Sequence, residues 1–158
     1  MFRIGFGFDV HQLAVGRPLY IGGVAIDSTL GAVGHSDADV LLHAICDALL
    51  GALALGDIGQ HFPDTDAQFK NIDSKLLLAA TYKLIKDKGY ALTNLDSCIV
   101  LEAPKVMKYA PAMQLAIASI LETTTDAISI KATTNEKMGF IGRSEGVVAH
   151  AVVLLHRV

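Results

Sequence analysis

Hydrophobic and polar positions along this chain follow two alternating periods, one typical of strands and one typical of helices. Short runs rich in aromatic and β-branched residues, bounded by glycine or polar residues, predict strands. These runs are FRIGFGFDV, LYIGGVAID with a glycine bulge or bend, TNLDSCIVLEA, AISIKATT and GVVAHAVVLLHRV. Helical spacing appears between them. Interleaved strands and helices predict an α/β or α+β layered fold in which helices cover a sheet.

Three longer runs predict helices. The clearest is SDADVLLHAICDALLGALALG, with Ser36 as its N-cap, Asp39 three residues later as in a capping box, and Gly56 at its end. A second helix is predicted over residues 73–88 and is closed by a glycine. A third enters at a proline and spans about residues 111–122.

Length and composition narrow the class of protein. A chain of 158 residues fits one domain, which we expect to span residues 1–158. Its residues are 52% hydrophobic and 18% charged, with a mean hydropathy of +0.44, which is apolar for a monomer of this size. We therefore expect apolar surface to be buried against copies of the same chain.

Charge and targeting signals exclude several partners. The net charge is −3 and the basic residues are scattered, so we expect no nucleic acid partner. The longest apolar run, ALLGALAL, is far shorter than the roughly 20 residues that span a bilayer, so we expect no membrane association. The N-terminus has no signal-peptide pattern, which favours a cytoplasmic location. Two distant cysteines are expected to be reduced core thiols.

The stretch GFDVHQL ends the first predicted strand with Asp9 and His11 two residues apart, so both side chains point the same way. His43 lies on the first helix in a polar stripe with Asp39 and Asp47, one turn away on either side. Asp9, His11 and His43 would form an Asp-His-His set, and three protein ligands leave the open fourth position typical of catalytic zinc. The alternative is a core histidine satisfied by a neighbouring carboxylate.

Either aspartate of the polar stripe could hold the second ring nitrogen of His43 and so fix its tautomer. Helix capping explains Asp39 equally well. His35 and Ser36 precede the same helix, where free backbone N–H groups favour an anion such as phosphate.

Two further segments carry polar residues that could either bind a ligand or lie at the solvent-exposed surface. LGDIGQHFPDTD, with Asp57, Asp64 and Asp66, could be a solvated turn. In KATTNEKMGFIGRSEG, the Lys131 amine and the Thr133 and Thr134 hydroxyls together suit phosphate. Glu136 could bind a second, oxygen-preferring cation. The alternative for the second segment is a polar strand end at the surface.

From residue 3 to the final strand, the chain resembles the 2-C-methyl-D-erythritol 2,4-cyclodiphosphate synthase family. The resemblance lies in the order of four segments, which are GFDVHQL, HSDADVLLHAICDALLGALALGDIGQHFPDTD, EAPK and KATTNEKMGFIGRSEG. The resemblance implies conversion of 4-diphosphocytidyl-2-C-methyl-D-erythritol 2-phosphate to the cyclic diphosphate with release of CMP, in non-mevalonate isoprenoid precursor synthesis. It also implies a mixed β-sheet covered on one side by helices, and a homotrimer with active sites between subunits.

The resemblance implies two kinds of metal ion. Asp9, His11 and His43 match the ligands of one Zn²⁺ per subunit. Glu136 matches the carboxylate on a Mg²⁺ or Mn²⁺ bound with the substrate diphosphate. An isoprenoid diphosphate in the channel on the trimer axis is a further ligand to consider.

The resemblance also implies roles in catalysis and substrate binding. His35 and Thr134 match groups that stabilise the transition state, and the substrate is a cytidine diphosphate. The matched substrate contacts are Ser36 at the phosphates, Asp57 and Gly59 at the ribose, Phe62, Asp64 and Asp66 in a loop over the methylerythritol, Leu101, Pro104, Lys105, Met107, Ala132 and Thr133 at the cytosine, and Phe140 and Arg143 near the substrate or the three-fold axis. The departures are Asn135, where a threonine is common, and Phe6, where a histidine is frequent.

Two other functions remain open at this point. A zinc-dependent phosphohydrolase would use the open zinc position for hydroxide and give a linear product. A non-catalytic nucleotide-binding trimer with a structural metal would bind cytidine nucleotides without turnover.

Overall fold

The strands of this protein form one large sheet and one small hairpin. A computed structural model describes residues 1–63 and 65–158. The strands are β1 (Phe2–Val15), β2 (Leu19–Ile21), β3 (Val24–Ile26), β4 (Leu30–Val33), β5 (Tyr90–Val100), β6 (Ile128–Thr133) and β7 (Gly146–Arg157). The large sheet has the order β4-β1-β7-β5-β6, and β2 pairs with β3. Only β5 and β6 run parallel among its pairs, so the sheet is mixed, as the resemblance implied.

The helices follow the strands in the interleaved order that the periodicity predicts. They are α1 (Val40–Ala52), α2 (Ile58–His61), α3 (Ser74–Asp87), α4 (Ala110–Ile120) and α5 (Gly139–Gly142), with short 3₁₀ turns at Ala67–Phe69, Met107–Tyr109 and Thr125–Ala127. The predicted second and third helices are confirmed as α3 and α4. No helix in the described residues has the length and apolar character needed to cross a membrane.

The first helix is shorter than the sequence predicted at both ends. Its N-cap is Asp39, whose side chain accepts from the Leu42 N–H, and not Ser36. The capping box prediction was therefore wrong, because Ala38 takes a left-handed conformation with φ +56° that breaks the helix before Asp39. The helix ends at Ala52, ahead of Gly56, and Ala54 at φ +55° turns the chain away.

The run LYIGGVAID forms two strands where the sequence predicted one bent strand. Gly22 and Gly23, with φ of +62° and +77°, turn β2 back onto β3. The buried Asp39 carboxylate accepts from both glycine N–H groups at 2.9 and 2.7 Å, so the cap of α1 also anchors this hairpin. Strand β4 was not predicted, because a short edge strand of small residues lacks a clear alternating pattern.

Helix α1 lies directly on the backbone of β1. A Cβ added at Gly5 would meet the Ala48 carbonyl oxygen at 1.9 Å, and one at Gly7 would meet the Ala44 carbonyl oxygen at 1.8 Å. Glycine on the strand and alanine on the helix therefore permit an approach that any larger strand residue would block. This contact fixes the helix above the strand just before Asp9.

Helices cover only one face of the large sheet. Helix α1 packs on β1 and β7, and α4 packs on β6 beside the buried Ile128 and Ile130. On the opposite face, alternate residues of β1 are exposed and apolar: Phe2, Ile4, Phe6, Phe8 and Val10. Val152 of β7 pairs with Phe6 and continues this apolar sheet face.

The two cysteines differ in environment. Cys46 on α1 is fully buried, and burial raises the pKa of its thiol to about 12, so it is an unreactive core residue as predicted. Cys98 is also a free thiol but is half-buried, so the core placement predicted for it was wrong.

We expect Gly7→Ala to disrupt the contact between α1 and β1. The added methyl group would overlap a backbone oxygen that no rotamer change can move, so the Tm should fall by at least about 5 °C. Gly51→Ala is the matched control, because a Cβ there meets only the Phe6 carbonyl oxygen at 3.8 Å and alanine favours the helix. Thermal unfolding at equal protein concentration measures both, and an unchanged Tm for Gly7→Ala would contradict the packing described here.

Candidate active site

Asp9, His11 and His43 converge at the end of the contact between β1 and α1. The His11 Nε2 atom lies 2.9 Å from Asp9 Oδ2, and the His43 Nδ1 atom lies 3.1 Å from the same oxygen. The two ring nitrogens are 3.1 Å apart. The prediction that Asp9 and His11 share a face and meet His43 is confirmed. These three side chains are also the one group of metal-type donors found among the described residues.

The three donor atoms fit a divalent metal ion. Tetrahedral coordination with bonds of about 2.0–2.1 Å separates ligand atoms by roughly 3.3 Å, close to the spacing of this triangle. Each ring also uses its other nitrogen elsewhere, since His11 Nδ1 lies 3.0 Å from the Val33 carbonyl oxygen and His43 Nε2 lies 2.8 Å from Ser74 Oγ. One carboxylate and two imidazoles form a donor set suited to metals such as zinc.

Electrostatic interactions within the triad keep the Asp9 carboxylate ionised, so it can bind a cation. Burial alone would raise the pKa of Asp9, but hydrogen bonds and charge interactions with His11 and His43 outweigh burial and lower the pKa to about 2. Burial alone would lower the pKa of His11, whereas Asp9 raises it on balance. Without a metal, a proton held on His11 therefore stabilises the Asp9 carboxylate, and a metal must displace that proton to bind.

The polar stripe on α1 does not orient His43 as the sequence suggested. Asp39 is occupied by the helix cap and the hairpin, which confirms the capping alternative. Asp47 accepts from the Ile58 N–H at 2.7 Å and so anchors α2. Neither holds the second ring nitrogen of His43, which contacts Ser74 of α3 instead.

A cavity of about 550 Å³ opens over the triad. Of the predicted site residues, it is lined by His11, His35, Ser36, His43, Gly59 and Phe62. The Nε2 atom of His35 is buried and has no hydrogen-bond partner among the described residues, so a donor or acceptor on a ligand could satisfy it. The prediction that His35 and Ser36 lie at a free helix N-terminus was wrong, because Asp39 caps α1. Their position beside the metal triad makes them candidates for substrate binding.

The loop that follows the first helix also contributes to this cavity. Asp57 caps α2 and accepts from Gln60, and Asp66 caps the Ala67–Phe69 turn and accepts from Gln68. Both carboxylates thus make local hydrogen bonds in this chain. Asp64, the remaining predicted contact of the loop, lies outside the described residues.

A second cavity of about 280 Å³ gathers the residues predicted for the cytosine. It is lined by Leu101, Pro104, Lys105, Met107, Ala132 and Thr133, and also by Thr134. It shares no lining residue with the cavity over the triad. These residues therefore line one cavity that is separate from the cavity over the metal ligands, and their role as cytosine contacts stays a prediction.

Six of the described predicted residues line neither cavity: Asp9, Asp57, Asp66, Glu136, Phe140 and Arg143. The exposed Glu136 accepts from the Thr134 hydroxyl at 3.1 Å, and its magnesium role stays a prediction. The Arg143 guanidinium binds the Glu145 carboxylate at 2.9 and 3.0 Å. The Phe140 ring, on α5, packs against Gly146.

Ser74 and Asp37 are site residues that the sequence did not indicate. The Ser74 Oγ atom contacts both His43 and the Asp37 carboxylate. Ser74 is 31 positions from His43, on a different helix, so no local spacing could reveal the contact.

A triad of metal-type donors beside a cavity of about 550 Å³, on a mixed sheet with helices on one face, is the arrangement of a metal-dependent enzyme. The model of the YgbB family matches residues 2–156 of this chain. A 2-C-methyl-D-erythritol 2,4-cyclodiphosphate synthase of Phocaeicola vulgatus is 57% identical over 155 residues, covering 98% of this chain and 97% of the relative. The chain belongs to this synthase family, and the resemblance drawn from the sequence is confirmed.

Solved structures agree with this assignment. The bifunctional IspDF from Campylobacter jejuni superposes with a TM-score of 0.96 at 45% identity, covering 100% of this chain and 43% of that longer chain. A 2C-methyl-D-erythritol-2,4-cyclodiphosphate synthase in its CDP-bound form superposes with a TM-score of 0.90 at 38% identity, covering 98% of this chain and 100% of that one. The mixed sheet with its helices is therefore the fold of these enzymes.

We expect His43→Gln to lose most of the bound divalent metal. The substitution removes one of three donors, and the two that remain would bind a metal only weakly. Metal content per chain, measured by plasma mass spectrometry after equilibration with zinc, provides the test. His156→Gln is the control, since His156 contacts Thr93 far along β7 from the triad. Full metal content in His43→Gln would contradict the assignment of His43 as a ligand.

Proposed function

We propose that this chain converts 4-diphosphocytidyl-2-C-methyl-D-erythritol 2-phosphate to 2-C-methyl-D-erythritol 2,4-cyclodiphosphate and CMP. The observation that carries the proposal is the donor triangle of Asp9, His11 and His43 at one end of the large cavity, beside His35 and Ser36. Relatives that are 57% and 59% identical over nearly the full length are named as this synthase.

The reaction is an intramolecular phosphoryl transfer. An oxygen of the 2-phosphate attacks the β-phosphorus, the bond from that phosphorus to the oxygen bridging to the α-phosphate breaks, and CMP leaves with the electron pair. No water is consumed, so the protein must position two anionic phosphates and neutralise their charge. When bound, Zn²⁺ at the triad and Mg²⁺ or Mn²⁺ at Glu136 would act as Lewis acids on the phosphate oxygens.

The residues of the large cavity provide the positioning. His35, whose buried Nε2 lacks a partner in the part of the chain that the structure describes, would hydrogen-bond a phosphate oxygen, and the Ser36 hydroxyl would donate to a neighbouring one. Asp57 and Gly59 would hold the ribose. The apolar side chain of Phe62 lines the same cavity and would exclude water from the methylerythritol. Exclusion of water favours ring closure over hydrolysis.

The cytosine of the substrate would occupy the second cavity, supplied by a neighbouring subunit. Leu101, Pro104 and Met107 offer apolar contacts to a flat base, and the exposed Lys105 offers a charge to the phosphates. Thr134 also lines this cavity and would stabilise the transition state at the phosphates of the substrate. The CDP-bound relative supports a cytidine nucleotide as ligand of this family.

We further propose that three copies assemble through the open sheet face. Phe6 and Ile4 are 62% and 71% exposed in the single chain, more apolar surface than a monomer normally leaves in water. The separation of the two cavities within one chain supports an active site completed by a neighbouring subunit. A channel lined by this face is where an isoprenoid diphosphate would bind.

Phosphorus NMR tests the reaction directly. The full chain incubated with the proposed substrate and Mg²⁺ should give CMP and a cyclic diphosphate, and both products should disappear after zinc removal and return with added zinc. CMP beside a linear phosphorylated product would instead identify a phosphohydrolase. Tight cytidine nucleotide binding without turnover would identify a non-catalytic binding protein, and either result would overturn the proposal.

Assembly predicts a mass near three times the 16.8 kDa of one chain. Phe6→Glu should dissociate the assembly. Each subunit would lose the burial of a phenyl ring, which stabilises by about 1.5–3 kcal/mol, and would bury a charge in its place. Leu76→Glu, an equally exposed leucine on the helical side, should leave the mass unchanged. Light scattering measures all three, and a monomeric parent chain would contradict the prediction.

A further inference from the structure

The second ring nitrogen of the proposed metal ligand His43 meets two serine hydroxyls. Its Nε2 atom lies 2.8 Å from Ser74 Oγ and 3.2 Å from Ser36 Oγ. Ser74 is the first residue of α3 and is fully buried. Its hydroxyl makes a short hydrogen bond to the Asp37 carboxylate, whose other oxygen accepts the Ser74 backbone N–H at 3.0 Å.

The direction of each hydrogen bond follows from the available protons. An ionised carboxylate only accepts, so the single Ser74 hydroxyl proton must point to Asp37. Ser74 can then only accept from His43, which places the histidine proton on Nε2. The Nδ1 atom is left with a lone pair facing Asp9 and His11, and this is the tautomer that can bind a metal.

We propose that Ser74 and Asp37 are positioning residues that fix the metal-binding tautomer and orientation of His43. Metal-ligating histidines commonly donate their second N–H to a carboxylate, and here a serine hydroxyl lies between the ring and the carboxylate. The inference rests on the proposed metal site, but it concerns the affinity of that site and does not depend on the reaction.

The same hydrogen bonds attach the metal site to the chain entering α3. The Asn71 N–H donates to the His35 carbonyl oxygen at 2.8 Å, and the Asp37 N–H donates to the Ile72 carbonyl oxygen at 3.1 Å. Segment 71–74 is therefore hydrogen-bonded along segment 35–37. The ring of His43 and the residues proposed to hold the phosphates thus share one scaffold.

Ser36 has a different role under this assignment. Its Oγ accepts from the Ala38 N–H at 3.1 Å, and with the His43 proton directed to Ser74 its own hydroxyl proton is free. Ser36 lines the large cavity, whereas Ser74 does not. Two serines beside one ring nitrogen therefore separate into a positioning residue and a substrate contact.

The test compares zinc affinity, measured by competition with a chromogenic chelator on the full chain. Ser74→Ala should weaken zinc binding by about 10-fold to 100-fold, the usual effect of losing such a hydrogen-bond partner of a metal ligand. Asp37→Asn should weaken it at least as much, because an amide with its oxygen on the Ser74 N–H turns its NH₂ toward the hydroxyl and reverses the hydrogen-bond direction.

Two matched controls separate this role from simple loss of stability. Ser36→Ala removes the other hydroxyl near Nε2 and should keep zinc affinity within about threefold, a difference of roughly 0.7 kcal/mol. Asp73→Asn removes the charge of the α3 N-cap, adjacent to Ser74, but its amide oxygen can still accept from the Lys75 N–H, so this variant should also keep affinity. Thermal unfolding in the presence of zinc checks folding, and the isosteric Asp37→Asn carries the test if Ser74→Ala does not fold.

The outcomes are distinguishable. Weaker zinc binding confined to Ser74→Ala and Asp37→Asn supports the proposal. Unchanged affinity in a folded Asp37→Asn, or an equal loss in the Asp73→Asn control, overturns it while leaving the metal site intact. A parent chain that binds no zinc overturns the metal site itself.

Discussion

The site depends on the backbone contact between helix α1 and strand β1. Gly5 and Gly7 leave no side chain between the strand and the carbonyl oxygens of Ala48 and Ala44. Protein interiors are packed as densely as organic crystals, so this contact leaves no unfilled space for an added methyl group. His43, next to Ala44 in the sequence, is thereby held within 3.1 Å of Asp9. The metal triad is a direct consequence of the two small-residue surfaces meeting.

The rest of the architecture positions what surrounds that triad. The buried carboxylate of Asp39 joins the hairpin to the start of α1, and Asp47 holds α2 at the edge of the large cavity. Asp37 ties α3 to the segment that carries His35 and Ser36. Three aspartates on or beside α1 thus anchor three separate elements, which are the hairpin, α2 and α3. Each aspartate is buried or half-buried and hydrogen-bonded to backbone N–H groups, the partners that make such charges tolerable.

The sequence predicted the parts of the site that local periodicity controls. A spacing of two on a strand put Asp9 and His11 on one face, and the helical stripe pointed His43 at the same place. The sequence did not predict contacts between distant segments. Asp39 and Asp47 were proposed to hold the second ring nitrogen of His43, but Ser74 contacts that nitrogen. Only the packing of α3 against α1 brings the serine near His43. Ser36 was mistaken for a helix cap because the left-handed Ala38 that delays the helix has no signal in its residue type.

X-ray absorption at the zinc edge of the zinc-loaded full chain tests the central claim most directly. If Asp9, His11 and His43 form the site that the helix contact assembles, the spectrum should fit about four nitrogen or oxygen neighbours at roughly 2.0–2.1 Å, with the outer-shell scattering of two imidazoles. A sulfur neighbour near about 2.3 Å, or six oxygen neighbours without imidazole scattering, would place the zinc elsewhere and contradict the account.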